Sequence, residues 1–144
     1  MRKTDPYPST VRLVRERDGW RCARCAGWGP LSTQHRRARG MGGSRLDSTN
    51  DASNLLTLCG DGTQLCHGWV ERHPLWAKRH GWSVSHYGVV PARVPVWTWR
   101  GWVLLVTGGD LEPLPDYPGV PDCTCGCRPR QTTAGLWDTP QLPA

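Results

Sequence analysis

Four cysteines in the first half of the chain have the spacing of a metal site. Cys22 and Cys25 have two residues between them, which lets both thiolates bind one tetrahedral zinc ion from a single turn. Cys59 and Cys66 have six residues between them, but the intervening GDGTQL contains two glycines and can loop out. The four cysteines predict a closed structural zinc site, and the alternative is four buried, reduced cysteines that pack as small apolar side chains.

His67 directly follows the last of these cysteines and raises a second question of metal binding. It is either a further ligand to the same ion or a ligand to another one. A closed shell of four thiolates leaves it no place on the zinc. His67 also begins a helical segment, so its imidazole can face away from the cysteines. Its direction is then toward whatever lies at the end of the strand and loop that precede it.

The distribution of charge favours a polyanionic partner. The 144 residues carry a net charge of +6. Residues 1–100 contain 16 basic and 7 acidic groups, a balance of +9, whereas residues 101–144 contain 2 and 5, a balance of −3. Sixteen of the 18 basic residues are arginine, whose planar guanidinium suits bidentate phosphate contacts. Nucleic acid is the simplest such partner, although a solvated surface has the same charge.

Several features favour a cytoplasmic protein without membrane association. No run approaches the roughly 20 apolar residues of a membrane span. The N-terminal MRKTDPYPST lacks the apolar stretch of a signal peptide. Seven cysteines, an odd number, argue against a disulfide framework. We expect a monomer in a reducing compartment, where paired cysteines more often bind metal.

The first sixty residues have the pattern of one helix and two strands. STVRLVRERD (9–18) predicts a short helix that ends at Gly19. PLSTQH (30–35) and NLLTLC (54–59) predict short strands. The polar segment 36–53 between the strands predicts a long loop, and loops of that length inside a compact domain are usually functional or disordered.

The next fifty residues predict a broken helix and a hairpin. Residues 67–82 fit a helical segment. Pro74 lies within it, and we expect this proline either to kink the helix or to break it into two short helices. VWTWRGWVLLV predicts a hairpin that turns at Arg100 and Gly101. The nine tryptophans are expected mainly in the core. One of them could stack on an unpaired base, but the sequence does not select which.

The composition changes at about Gly108. Seven of the 13 prolines lie beyond it, and hydrophobic periodicity disappears. We therefore predict a domain over residues 1–107 and a proline-rich, loosely ordered tail over residues 108–144. The tail contains three cysteines too closely spaced to share one ion comfortably, and we expect an unstructured cluster: Cys123, Cys125 and Cys127.

Four segments in a fixed order carry a resemblance to a known family: RDGWRCARC, QHRRARGMGG, NLLTLC and CHGWVERH. Over about residues 11–82 the chain resembles the HNH endonucleases, and in particular the small HNH proteins of bacteriophages and prophages. The resemblance implies an α+β fold. Its ββα-metal core would consist of two short strands and a helix around one divalent ion. A structural zinc knuckle, an N-terminal helix and a C-terminal β-hairpin would complete the domain.

The resemblance also implies three catalytic residues. His35 matches the general base, and a histidine suits that role because its ordinary pKa is near 6.5. His67 matches a ligand to the catalytic ion. Asn54 matches a residue that either binds this ion or ties the base-bearing loop by hydrogen bonds. The implied reaction is hydrolysis of DNA phosphodiester bonds with Mg²⁺, Mn²⁺ or Ni²⁺, leaving 5′-phosphate and 3′-hydroxyl ends.

One position departs from the family pattern. Many HNH enzymes place Asp, Glu or His directly before the base, whereas this chain has Gln34. An amide oxygen can bind a hard cation but brings no charge, so metal affinity and catalysis are expected to be weaker. His73 is a candidate replacement ligand. It stands six residues after His67, about 600° around an ideal helix, so it needs a distortion such as Pro74 to reach the same ion.

The glycine-rich GMGG segment is surrounded by arginines that we expect to position DNA. The alternative is a flexible, solvated loop. The residues assigned to this contact are Arg36, Arg37, Arg39 and Arg45.

The sequence thus predicts a zinc-stabilised, phage-encoded DNA endonuclease. Family association implies a role in genome packaging or processing beside terminase subunits. A non-catalytic zinc-knuckle DNA-binding protein is the main alternative, because Gln34 weakens the ligand set. A third possibility is an interaction module whose arginines bind an acidic protein.

Overall fold

The computed structural model describes residues 5–39, 47–85 and 88–117, and the fold is mixed α+β as expected. Among these residues no helix is both long and apolar enough to cross a membrane. Arg45 and the cysteines at 123–127 lie outside the described residues. The elements are α1 (Pro8–Arg17), β1 (Leu31–His35), β2 (Leu55–Cys59), α2 (Leu65–Arg72), α3 (Pro74–Arg79), β3 (Val96–Thr98), β4 (Gly101–Leu105) and β5 (Leu111–Pro113), with 3₁₀ turns at Asp47–Asn50, Ala52–Asn54 and Pro91–Arg93.

β1 and β2 form a two-stranded antiparallel sheet. Leu31 lies opposite Cys59, and His35 lies opposite Leu55. Because side chains alternate between the faces of a strand, the neighbours Gln34 and His35 point to opposite faces. Leu55 packs with Val14 of α1, so His35 lies on the α1 side of the sheet. Gln34 shares the other face with Ser32.

The end of α1 is joined to β2 by a buried ion pair. The Arg17 guanidinium contacts the Asp18 carboxylate at 2.8 Å and donates to the carbonyls of Ala52 and Leu55. Asp18 accepts a hydrogen bond from the backbone N–H of Thr57. A buried ion pair is retained only when further hydrogen bonds satisfy it, as they do here. These contacts hold α1 against one face of the sheet.

The break expected at Pro74 is present. α2 ends at Arg72 and α3 begins at Pro74, because proline has no N–H to donate and its ring clashes with the preceding turn. Trp82 follows α3, is fully buried, and donates its Nε1–H to the carbonyl of Trp97. It therefore joins the helices to the second sheet.

The second sheet has the strand order β3-β4-β5. Thr98 pairs with Gly101, so the hairpin turns at Trp99 and Arg100, one residue earlier than expected. β5 pairs with β4 in the register Leu105 to Leu111. The sheet thus continues past residue 107, where we expected the ordered domain to end. The start of the proline-rich segment is consequently part of the domain.

Candidate functional site

The four cysteines predicted to bind zinc lie together in the core. Their sulfur atoms are all within 4.8 Å of one another, and all four residues are buried. The Sγ atoms of Cys25 and Cys59 are 3.8 Å apart. A tetrahedral zinc ion with Zn–S bonds of about 2.3 Å separates its sulfurs by roughly 3.8 Å. The donor set therefore fits a closed structural zinc site: Cys22, Cys25, Cys59 and Cys66.

Local backbone geometry presents the cysteines to one point. Ala26 has a positive φ of 61° and donates its N–H to the Cys22 carbonyl, which closes the turn that carries the first pair. The N–H of Gly27 donates to Cys25 Sγ at 3.3 Å. Ala23 donates to the Thr57 carbonyl, so this turn is fixed to β2 beside Cys59.

Arg24 is a second component of this centre, and sequence reasoning missed it. The residue is 1% exposed, and its Nη1 donates to Cys66 Sγ at 3.1 Å. Its guanidinium also lies over the rings of Trp69 and Trp82, at 4.3 and 5.3 Å from their centroids. Four thiolates around Zn²⁺ carry a net charge of about −2. The buried guanidinium offsets part of that charge and orients one ligand.

Hydrogen bonds among the four cysteines favour deprotonation of two of them. Burial and hydrogen bonds to the other cysteines raise the pKa of Cys22 well above its ordinary value. Hydrogen bonds from Cys22 and Cys25 lower the pKa values of Cys59 and Cys66, and the Arg24 charge acts in the same direction on Cys66. The arrangement favours thiolate at Cys59 and Cys66, which is the form that binds metal.

Nδ1 of His67 is held by a hydrogen bond from the neighbouring strand. The Ser32 hydroxyl lies 2.6 Å from His67 Nδ1 and 3.3 Å from the Leu58 carbonyl oxygen. In the tautomer in which the hydroxyl donates to the carbonyl and accepts from Nδ1–H, Nε2 of His67 has a free lone pair. A hydrogen bond from the other ring nitrogen is the usual support of a metal-binding histidine.

Nε2 of His67 faces a carboxylate that sequence reasoning missed. Glu71 Oε1 lies 3.8 Å from Nε2, because residues four apart share one face of a helix. Burial lowers the pKa of His67, although the charges of Glu71 and Asp61 oppose the shift. Gln34 is buried on the same sheet face as Ser32. These side chains could hold a hard divalent cation.

His35 has the opposite tautomer and suits a base. Its Nε2 lies 2.9 Å from Oδ1 of Asn50, an acceptor, so Nε2–H donates and Nδ1 can accept a proton. Burial lowers the pKa of His35, and the charge of His67 acts in the same direction. His35 and the Ser32 that holds His67 lie on different faces of β1.

Asn54 ties the loop that follows His35. Its side chain is fully buried, and Oδ1 accepts from the N–H of Arg37 at 2.8 Å. Nδ2 donates to the carbonyls of Thr49 and Arg37. Of the two roles that the resemblance allowed, these contacts support the hydrogen-bonding one. Because Oδ1 and Nδ2 already make these hydrogen bonds, they argue against a role for Asn54 as a metal ligand.

His73 lies on another side of α2. Its ring stacks on Trp69 at a centroid distance of 4.1 Å, and its Nδ1 donates to the Trp69 carbonyl. Trp69 in turn packs edge-on against the buried Trp82. These contacts give His73 a packing role, and its Nδ1 is already used in the hydrogen bond to Trp69.

Two of the arginines expected to contact DNA are structural. Arg36 is fully buried, and its guanidinium donates to four backbone carbonyls, at Gly81, Ser53, Pro91 and Val94. Burial and the nearby charge of Arg17 lower its pKa to about 9, which leaves it charged at neutral pH. Arg37 is also buried and donates to the Val89 carbonyl. Both guanidinium groups are therefore bonded to the protein's own backbone in this structure and not presented at the surface as a phosphate contact would require.

Arg39 is the described residue of this set that reaches solvent. Its Nη1 contacts the Asp5 carboxylate at 3.0 Å, and both side chains are about one-third exposed. Exposed pairs of this kind contribute little to stability. Arg39 can therefore exchange Asp5 for another anion such as a phosphate.

Comparison with protein-family models, curated proteins and solved structures found no match to this chain.

The site residues that sequence reasoning missed differ in how they could have been found. Glu71 stands four residues after His67 within the predicted helix, so helical periodicity alone places it beside the imidazole. Ser32, Asn50 and Arg24 are recognisable only after β1, the 47–50 turn and the cysteine pairs have been brought together.

Proposed function

We propose that this protein is a metal-dependent DNA endonuclease of the HNH type, stabilised by structural zinc. The observation that carries the proposal is the pair of half-buried histidines, each with one ring nitrogen held by a hydrogen bond. Nε2 of His35 donates to Asn50, which leaves Nδ1 to accept a proton as a general base needs. Nδ1 of His67 is held by Ser32, and its Nε2 lies beside the Glu71 carboxylate, where a cation ligand would be placed.

The chain's own groups would divide the work of phosphodiester hydrolysis. A bound divalent cation would stabilise charge on the phosphate and on the departing 3′ oxygen. His67 and Glu71 would hold that cation, and the amide oxygen of Gln34 would add a neutral ligand. Nδ1 of His35 would take the proton from the attacking water. Asn50 would keep the ring oriented while it becomes an imidazolium.

The biological setting is proposed from the resemblance alone. HNH proteins of this small phage type suggest a role in genome packaging or processing, with terminase subunits as partners, in the cytoplasm of a bacterial host. Arg39 and Arg45 would contact phosphates of the DNA. DNA would be the substrate in genome packaging and in genome processing alike.

The decisive experiment is plasmid cleavage by the zinc-loaded protein with added Mg²⁺, Mn²⁺ or Ni²⁺. His35→Ala should reduce the rate by at least about a hundredfold, because general bases contribute roughly that much. His73→Ala is the matched control, since it removes an imidazole that packs away from the site, and it should cleave at close to the parent rate. Equal cleavage by the parent and His35→Ala would disprove the proposed role of His35.

A non-catalytic DNA-binding protein is the second candidate, and Gln34 favours it. The neutral amide occupies the position where a charged ligand is expected, so the cation is held by fewer charges. This candidate predicts DNA binding without cleavage in the parent under all three ions. Gln34→Glu, which restores the charge at nearly constant shape, would then be the variant most expected to gain activity.

A further inference from the structure

Two tryptophans and two arginines alternate on one surface of the protein. The guanidinium carbon of Arg21 lies 4.5 Å from the ring centroid of Trp28 and 4.7 Å from that of Trp99. Arg100 lies 4.1 Å from the Trp99 ring. These four residues are called the Trp–Arg stack below. Cation–π contacts at these distances are favourable and orient the rings.

Backbone contacts fix the stack to rigid parts of the fold. Arg21 donates from Nε to the carbonyl of Ala26, in the turn that carries the zinc-binding pair. Arg100 donates to the Arg17 carbonyl at the end of α1. The backbone at Gly19 approaches so closely that an added Cβ would lie 3.1 Å from Nη2 of Arg100. The stack is therefore preorganised before any ligand arrives.

The outer end of the stack is open. Trp28 is 68% exposed although it is the largest kind of apolar side chain, and Trp20 beside Arg21 is 51% exposed. Arg21 covers one face of the Trp28 ring. Because so little of the indole is buried, packing against the core does not explain a tryptophan at this position. An oriented, exposed ring with a cation behind it is a surface for stacking.

Charge and ring chemistry together identify the occupant. Asp18 is the acidic group that interacts most with Arg100, and it is already paired with Arg17. Arg21 and Arg100 thus leave a positive field around the indoles. Single-stranded nucleic acid is the partner that combines flat aromatic faces with closely spaced negative charges, and proteins bind it with aromatic rings and basic side chains.

We propose that the Trp–Arg stack binds an unpaired segment of single-stranded DNA, with one base stacked on Trp28 and its phosphate near Arg21 and Arg100. The inference rests on the proposed function for its choice of DNA and specifies the substrate: a strand with unpaired bases. Trp28 lies three residues before the start of β1 and seven residues before His35 at its end, so the two residues are no more than about 25 Å apart along the chain. A short unpaired stretch can therefore engage both.

The test measures binding separately from cleavage. A fluorescently labelled single strand of about 12 nucleotides is titrated with the zinc-loaded full chain, without added divalent cation, and followed by anisotropy. Trp28→Ala should weaken binding by about tenfold or more, because one base–aromatic stack contributes that much. Trp28→Phe should stay within about threefold of the parent, since its ring still stacks.

Two controls make the result specific. Leu75→Ala removes another exposed apolar side chain, 78% exposed on α3, and should bind the single strand as the parent does. A fully paired duplex should lose less than about twofold affinity on Trp28→Ala, because it offers no unpaired base. An equal loss with duplex and single strand would overturn the proposal, as would equal binding by Trp28→Ala and Leu75→Ala.

Two other occupants would be recognised in the same experiments. Binding of a poly-glutamate peptide that competes with the single strand and depends on Trp28 would assign the stack to an acidic protein instead. Self-association that Trp28→Ala abolishes, measured by sedimentation, would assign it to a second copy of the chain. Either result overturns the DNA assignment.

The binding and cleavage measurements test the Trp–Arg stack and the proposed nuclease separately. If Trp28→Ala binds normally while His35→Ala loses plasmid cleavage, the stack is disproved and the nuclease stands. If no cleavage occurs but single-strand binding depends on Trp28, the stack stands and the protein is a binding module.

Discussion

At the scale of single residues, buried arginines account for much of this protein's unusual composition. Five of the arginines within the described ranges are buried, and their guanidinium groups satisfy backbone carbonyls, a threonine hydroxyl, a carboxylate and a thiol: Arg15, Arg17, Arg24, Arg36 and Arg37. A guanidinium suits this role because its planar fork presents five donors. The excess of arginine is therefore a feature of the interior as well as of the surface.

Arg24→Gln should make the zinc centre labile. The substitution removes the charge that offsets the thiolates and the hydrogen bond to Cys66. Loss of such supporting contacts typically weakens metal binding by about 10–100-fold. Zinc transfer to a chromophoric chelator should accelerate accordingly, and the absorption spectrum of the cobalt-substituted protein should shift. Arg12→Gln, at an exposed pair with Glu16, should release zinc at the parent rate.

The pH dependence of cleavage should reflect the environment of the two histidines. Burial lowers the pKa values of His35 and His67 because it disfavours the charged imidazolium. Both imidazoles should therefore remain neutral below the ordinary value near 6.5. We expect single-turnover cleavage to be lost only as the pH falls below about 6.5. An acidic limb centred above that value would contradict the assignment of His35 as base.

At the scale of secondary structure, close backbone approaches set the ends of the elements. Gly81 follows α3 with a φ of +72°, and an added Cβ there would lie 1.9 Å from the Pro95 carbonyl oxygen. Gly68 inside α2 lies against the Thr63 carbonyl carbon, which an added Cβ would approach to 2.5 Å. Only glycine permits such contacts. Gly68 thus lets α2 pack against the loop that precedes it, and Gly81 lets the end of α3 pack against the start of β3.

Gly81→Ala should destabilise the fold substantially. The left-handed conformation alone costs about 1–2 kcal/mol for a residue with a Cβ, and the clash with Pro95 adds to it. Thermal unfolding followed by circular dichroism should show a lower midpoint. Gly62→Ala is the matched control because an added Cβ there meets no atom within 4 Å. If Gly81→Ala unfolded at the same midpoint as Gly62→Ala, the destabilisation expected from the left-handed conformation and the Pro95 clash would be contradicted.

At the scale of the whole molecule, the cysteine cluster joins segments that are distant in sequence. The turn at 22–25, the end of β2 and the start of α2 each contribute to it. The buried core cluster contains the same cysteines together with Trp82, Trp97 and residues of β4. A metal ion held by these cysteines would lie inside the core, so metal binding and core formation would depend on each other.

Removal of zinc should unfold the domain. Treatment with a strong chelator should abolish the near-ultraviolet circular dichroism of the buried tryptophans, because four thiols cannot replace the ion's bonds to three segments. Addition of Zn²⁺ under reducing conditions should restore the signal. Retention of the folded spectrum after complete removal would show that the cysteines pack as apolar side chains.

The sequence by itself determined the features that depend on local spacing. The cysteine pairs, the two short strands, the helix before Gly19 and the break at Pro74 follow from residues within a few positions of one another, so they were predictable. The continuation of the second sheet into β5 was missed because proline-rich composition resembles that of a loose tail.

The tertiary structure alone decided which side chains face solvent and which are bonded inside. Arg36 and Arg39 belong to one arginine-rich motif, yet Arg36 bonds carbonyls 17 to 58 residues away and Arg39 reaches solvent. Asn54 holds the loop by hydrogen bonds, and Trp20 and Trp28 are exposed whereas Trp82 and Trp97 are buried. The physical reason is that burial and hydrogen-bond partners come from contacts between distant segments, which neighbouring residues in the sequence do not specify.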